Sequence, residues 1–135
     1  MRAGLRAAVP YFLAVFAAGV AFGTLRALVL APAVGPLPAV ALEVPVMLAV
    51  SWASARWAVA HQGVPRRVGP RLVMGSAAFT LLLAAEVALG LWGFGQSPVA
   101  MLASYLLPEG MLGLAAQVAF ALMPLALILE ERLGY

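Results

Sequence analysis

The sequence predicts an all-α integral membrane protein. The expected architecture is a single four-transmembrane-helix bundle over residues 1–135, with both termini cytoplasmic and a short interfacial or re-entrant helix between spans 3 and 4. Three observations predict it. Only 10% of the residues are charged and 65% are hydrophobic, where a soluble domain carries roughly 25% charged residues. Four apolar runs each reach the ~20 residues that cross a bilayer as a helix. The arginines fall alternately at the start and the end of those runs, and the chain has neither Lys nor Asp.

Span 1 is expected from about Pro10 to Ala31 and span 2 from about Pro38 to Val59. Span 3 follows from about Arg71 to Phe94 and span 4 from about Glu109 to Leu129. A proline stands at or near each start (Pro10, Pro38, Pro70, Pro108), where its missing N–H costs a helix nothing. The runs are too long and too rich in Ala and Leu for barrel strands. Three links remain: Pro32–Leu37, Ala60–Pro70 and Gly95–Pro108.

Charge sets the orientation. Arg2 and Arg6 precede span 1, Arg56, Arg66, Arg67 and Arg71 surround the second link, and Arg132 follows span 4. All lie on one side, and the other two links carry no arginine. Positive charge stays on the cytoplasmic side of a membrane, so the expectation is a bacterial-type inner-membrane protein with the termini and the second link inside. Trp57 and Tyr135 at one boundary, and Trp92 and Tyr105 at the other, fit aromatic belts. The start "MRAGLRAAVPYFLAVFAAGVAFG" has the basic and apolar regions of a cleaved leader. Its apolar stretch runs on to Leu30, so span 1 is expected to be retained. The third link, "SPVAMLASYLLP", is apolar, bounded by Pro98 and Pro108, and too short to cross. It reads as the interfacial or re-entrant helix over the periplasmic end.

The few charges inside the spans point to a site. Arg26 lies about five residues from the periplasmic end of span 1, roughly 7 Å deep at 1.5 Å per residue. Glu43 lies at a similar depth in span 2, and the short link makes the two spans antiparallel neighbours. Pairing is the usual remedy for charge in a membrane, so Arg26–Glu43 is the expected pair. Glu86 in span 3 is roughly 12 Å deep, Glu109 opens span 4, and Gln117 sits two turns below it. No ionisable group is expected in the cytoplasmic half of any span. One arginine against three glutamates leaves two negative charges to be neutralised by protons or a bound cation. The expectation is a polar site of Arg26, Glu43, Glu86, Glu109 and Gln117 that binds or passes a small solute or ion with proton linkage.

Small residues accompany these groups at helical spacing: Gly19 and Gly23 with Arg26, Gly90 and Gly93 with Glu86, Gly110 and Gly113 with Gln117. They read as helix-packing positions, and Gly19–Gly23 would also suit a homo-oligomer. Pro45 beside Glu43 frees the carbonyl of Ala41. A plainer reading of the same cluster is polar glue that fixes helix register. The second function class is therefore a non-catalytic accessory or assembly subunit docked on a larger membrane complex.

Other chemistry has little support. Met47, Met101 and Met111 are more simply gap fillers than a Cu(I) set, and His61 stands alone in the second link. Ser51 and Ser54 are expected to bond within their own helix. Cysteine is absent, which removes thiolate catalysis and thiolate metal sites. No nucleotide, haem or hydrolase motif occurs, so no cofactor is indicated and an enzyme is the least favoured class. The expected partner is the lipid bilayer rather than nucleic acid. Four spans in so short a chain invite comparison with small multidrug-resistance transporters. Their essential acid lies in the first span, where this chain carries only Arg26.

The topology is testable. Fusion reporters at Gly35 and Gly95 should report the periplasm, and those at Gly63 and the C-terminus the cytoplasm. A cytoplasmic signal at Gly35 overturns the orientation.

Overall fold

The structure, a computed structural model, describes residues 2–93 and 95–132. The span end expected at Phe94 and the belt residue Tyr135 lie outside them. Four helices are long and apolar enough to cross a membrane, the architecture of a multi-pass membrane protein: α1 (Arg2–Val34), α2 (Pro36–Gln62), α3 (Val68–Gly93) and α5 (Pro108–Arg132). The short helix α4 (Pro98–Ser104) lies between the last two. Many of the large apolar side chains along the spans stay exposed, Leu28 at 73% and Leu129 at 64% among them. A surface of that kind suits lipid rather than water.

The helices run past the expected span ends. Helix α1 begins at Arg2, which puts Pro10 inside it rather than at its start. At the other end α1 continues through Pro32 to Val34, so the first link shrinks to Gly35. Five residues before that break the helix widens into a π turn, Arg26–Leu30, in which the Ala31 N–H reaches back to the Arg26 carbonyl. Such a turn lets the chain absorb a proline that would collide with the carbonyl four residues earlier. A second π turn, Leu89–Gly93, ends α3. Helix α2 is continuous through Pro45 and stops at Gly63, whose φ of 63° is the left-handed conformation that glycine tolerates. There the N–H groups of Gly63 and Val64 both bond to Val59 O, which closes the last turn.

Helix α1 packs against α2 and α3, and α5 packs against the same two. The ring order is therefore α1, α2, α5, α3, with sequence neighbours α2 and α3 on a diagonal. The buried core occupies one half of this ring. Ala7, Ala8, Tyr11, Ala55, Ala58, Met74, Ala78, Phe120 and Leu127 all belong to the half nearest Gly63. Alanines let the backbones close in, and Gly75 carries this furthest. A Cβ there would collide with the Ala121 carbonyl of α5.

Two polar devices hold this half. Pro124 has no N–H, so the Phe120 carbonyl four residues earlier loses its helical partner. Tyr11 crosses the ring diagonal from α1 and donates its hydroxyl to that carbonyl at 2.5 Å, with its ring stacked on Phe120 at 4.4 Å. The second device is Arg71. Arg71, expected at the start of span 3, lies in the first turn of α3 and is only 1% exposed. Its guanidinium donates to Pro65 O, Val64 O, Pro124 O and both carboxylate oxygens of Glu131. The expectation of no ionisable group in this half of the spans is thus corrected. The arginine's five donors found carbonyls and a carboxylate that sequence spacing does not juxtapose. Arg56 and Glu130, 3.3 Å apart, add a more exposed pair nearby.

The Tyr11 bond generates a prediction. Tyr11→Phe should destabilise the protein by about 1 kcal/mol, because it strands a buried carbonyl. In a Pro124→Ala background the same change should cost much less, since the helix then supplies its own N–H to Phe120 O. Thermal unfolding of the four variants measures the coupling, and strict additivity would separate the two residues.

Candidate functional site

Opposite the packed half, the ring opens into a cavity of about 760 Å³. All four long helices and the third link contribute walls, and Arg26, Glu43, Glu86, Glu109 and Gln117 all line it. Most of the remaining lining is apolar, including Val15, Phe16, Met47 and Leu82.

Arg26 sits on the π turn of α1, and its Nε lies 2.6 Å from Glu43 Oε2 on α2. The N–H is nevertheless not aimed to make a hydrogen bond, so the contact is an ion pair by distance without full hydrogen-bond geometry. The Arg26 side chain is 36% exposed and that of Glu43 14%. Glu86 belongs to a different constellation. Its Oε1 accepts from Gln117 Nε2 of α5 and its Oε2 accepts from the Tyr105 hydroxyl at 3.3 Å. Burial and the neighbouring Glu86 carboxylate both push the Tyr105 hydroxyl upward, which keeps it a donor at neutral pH. Gln117 Oε1 is buried without a partner. Glu109, half-buried in the first turn of α5, faces the same space. The five residues therefore form two linked groups, a cation–carboxylate pair and an amide- and phenol-held carboxylate, with Glu109 beside them.

Tyr105 is the partner that sequence reasoning assigned elsewhere, to an aromatic belt. Its place follows from the third link. Ser97 caps α4 by accepting from the Ala100 N–H at 3.1 Å, and Pro98 occupies the first turn. One short helix later the chain turns back, with Met101 near Gly90 and Tyr105 beside Glu86. A tyrosine seven residues after Pro98 was the only sequence signal for this contact.

The glycines expected at helix contacts occupy other surroundings. A Cβ at Gly113 would meet nothing within 4 Å, and one at Gly19 only Met47 Cε at 3.8 Å. A Cβ at Gly23 would come within 3.4 Å of the Arg26 guanidinium. All three line the cavity, where the helices have parted. Gly90 is covered by the Met101 and Gln96 side chains, Gly93 by Leu89 of its own helix, and Gly110 by the Ser104 carbonyl of the link. Close helix approach is made instead at Gly75, and at Gly4 against the Pro70 carbonyl. Of the methionines, Met47 and Met101 line the cavity, and Met111 is 58% exposed and does not. Among the described residues, no three of His, Cys, Asp or Glu form a set that could hold a metal ion.

The ion pair predicts a mutant ranking. Arg26→Ala should lower stability by about 1 kcal/mol or more, because it leaves the mostly buried Glu43 without its cation. Arg66→Ala should stay within about 0.5 kcal/mol, since Arg66 is 61% exposed and 3.8 Å from Glu131. Adding Glu43→Gln to Arg26→Ala should recover part of the loss. A double mutant equal to the sum of its singles shows that the pair does not interact.

Comparison of the chain with protein-family models, curated proteins and solved structures finds no match in any of the three.

Proposed function

We propose that the protein binds a small solute or ion in this cavity and passes it with proton linkage, as a multi-pass protein of a bacterial-type inner membrane whose cavity faces the periplasm. The observation that carries the reading is the meeting of Arg26, Glu43, Glu86, Glu109 and Gln117, drawn from four helices, on the wall of one cavity of about 760 Å³. Small-molecule sites occupy roughly 300–1,000 Å³ and combine apolar walls with a few converging polar groups. Ionisable side chains are costly in a membrane and accompany solute or proton pathways there.

Proton linkage follows from charge. Three carboxylates share the cavity with one arginine, and the two uncompensated charges must be balanced by protons or by a cation. A cation that enters then displaces protons, and protons that return release it. The closed half of the bundle supports one-sided access. Tyr11, Phe120 and the Arg71 cluster fill the path towards the Gly63 end.

A single reporter tests whether solutes reach the site. The chain has no cysteine, and Gly113 has room for a larger side chain. Gly113→Cys should react with a charged, membrane-impermeant thiol reagent added from the periplasmic side. Val118→Cys, at an outward-facing position 46% exposed, should stay unreactive in lipid. An unreactive Gly113→Cys protein would mean the cavity is closed to water and carries no solute.

A further inference from the structure

We propose that the cavity's ligand is an amphiphilic organic ammonium ion, held through its N–H groups by Gln117 Oε1 and by the carboxylates of Glu86 and Glu109. The inference rests on reading the cavity as a binding site and adds the chemical class of what it binds.

The first argument is an inventory of donors and acceptors. Arg26 faces Glu43, with its Nε–H lacking an aligned acceptor, and both Gln117 Nε2 and the Tyr105 hydroxyl face Glu86. Negative charge is in surplus, with Glu43, Glu86 and Glu109 against Arg26 alone. Gln117 Oε1 is buried and unpartnered, and a buried acceptor left unmade is costly. Among the described residues, no cation stands within ion-pair distance of Glu86 or Glu109. A ligand that brings negative charge would worsen this imbalance. One that brings N–H donors and positive charge corrects it.

The second argument is shape. About 760 Å³ is far more space than a bare ion needs, and it is the size that organic molecules fill. A transition metal ion would also want several imidazole, thiolate or carboxylate ligands converging, and among the described residues no three of His, Cys, Asp or Glu do so. Most of the rest of the wall is apolar or aromatic, with Thr24, Ser51, Gln96 and Ser104 interspersed. Phe16 presents a ring suited to a cation or to an apolar body, and Met47 and Met101 are side chains that adapt to irregular shapes. A charged head at Gln117 and Glu109, with a hydrocarbon or aryl body against Phe16, Met47 and Met101, uses both kinds of wall.

Three probes of nearly equal size and different charge make the test: phenethylammonium, 2-phenylethanol and 3-phenylpropanoate. Each is added to the full-length Gly113→Cys protein in lipid nanodiscs, and its protection against thiol labelling is titrated. Phenethylammonium should protect at a concentration at least about tenfold lower than the alcohol, the factor expected for a charged hydrogen bond, and the carboxylate should not protect. Glu109→Gln and Gln117→Leu, each in that background, should weaken the ammonium's protection by about tenfold. Labelling without ligand should persist in both, which shows that the cavity remains formed. Equal protection by the alcohol, protection by the carboxylate, or no protection by any probe would overturn the ammonium assignment. So would protection indifferent to both substitutions. The underlying reading fails separately, through a Gly113→Cys protein that does not label at all.

Discussion

A guanidinium removed from water must recover its hydrogen bonds within the protein, and Arg71 does so by drawing several parts of the chain to one point. It takes two carbonyls from the turn between α2 and α3, one from α5, and the carboxylate of Glu131. The turn and α5 are thereby fixed to the first turn of α3. Tyr11 then ties α1 to the same stretch of α5 through the carbonyl that Pro124 leaves free. Each bond answers a polar group that would otherwise be stranded in apolar surroundings, where the cost of leaving it unmade exceeds the gain from an ordinary extra contact. With these bonds in place, alanines and Gly75 can pack the helices at close range, and the buried core gathers at this end.

The opposite end lacks such ties, and the difference is visible in the helices. Both π turns, Arg26–Leu30 and Leu89–Gly93, occur there, as does the break at Gly35. Here Gly19 and Gly113 face open space, while Gly90 and Gly110 are covered by the third link rather than by a neighbouring span. The third link folds over the gap, with Tyr105 contributing a bond to Glu86. A cavity persists because its polar wall is satisfied in part by its own members, and its apolar wall is too sparsely furnished to close. One half of the bundle therefore supplies rigidity, and the other supplies volume.

Much of this was legible in the sequence. Hydropathy and length marked four helices because lipid demands both, and the antiparallel placement of Arg26 and Glu43 followed from the short first link. What was not legible depends on contacts between residues far apart in sequence. Arg71 reads as one more arginine in a basic link, because nothing in its neighbourhood announces Glu131 or the Pro124 carbonyl. Tyr105 reads as a belt residue until α4 turns it inward. The glycine stripes have the right periodicity for close packing, but periodicity identifies a face and not what that face meets. Gly75, which stands in no such stripe, makes the closest approach. Helix ends were misplaced for a related reason. Pro10 and Pro32 look like boundaries, yet a helix can continue through a proline when the preceding turn widens or a freed carbonyl is accommodated.

Two of the arginine–glutamate pairs, Arg71–Glu131 and Arg26–Glu43, show how the same chemistry serves different ends. Arg71 is 1% exposed and commits its donors to four acceptor residues, so moving it means breaking several bonds at once. Arg26 is 36% exposed, meets one carboxylate, and leaves its Nε–H without a well-aligned acceptor. A pair held that loosely contributes less to stability and can rearrange at smaller cost when the charge around it changes. Beside it stand Glu86, held by neutral donors, and Glu109, with no counter-ion nearby among the described residues. An immobile charge cluster at one end and an incompletely balanced one at the other is the arrangement a one-sided binding site requires. The first ties the bundle together, and the second leaves an excess of negative charge that the proposed ligand would balance.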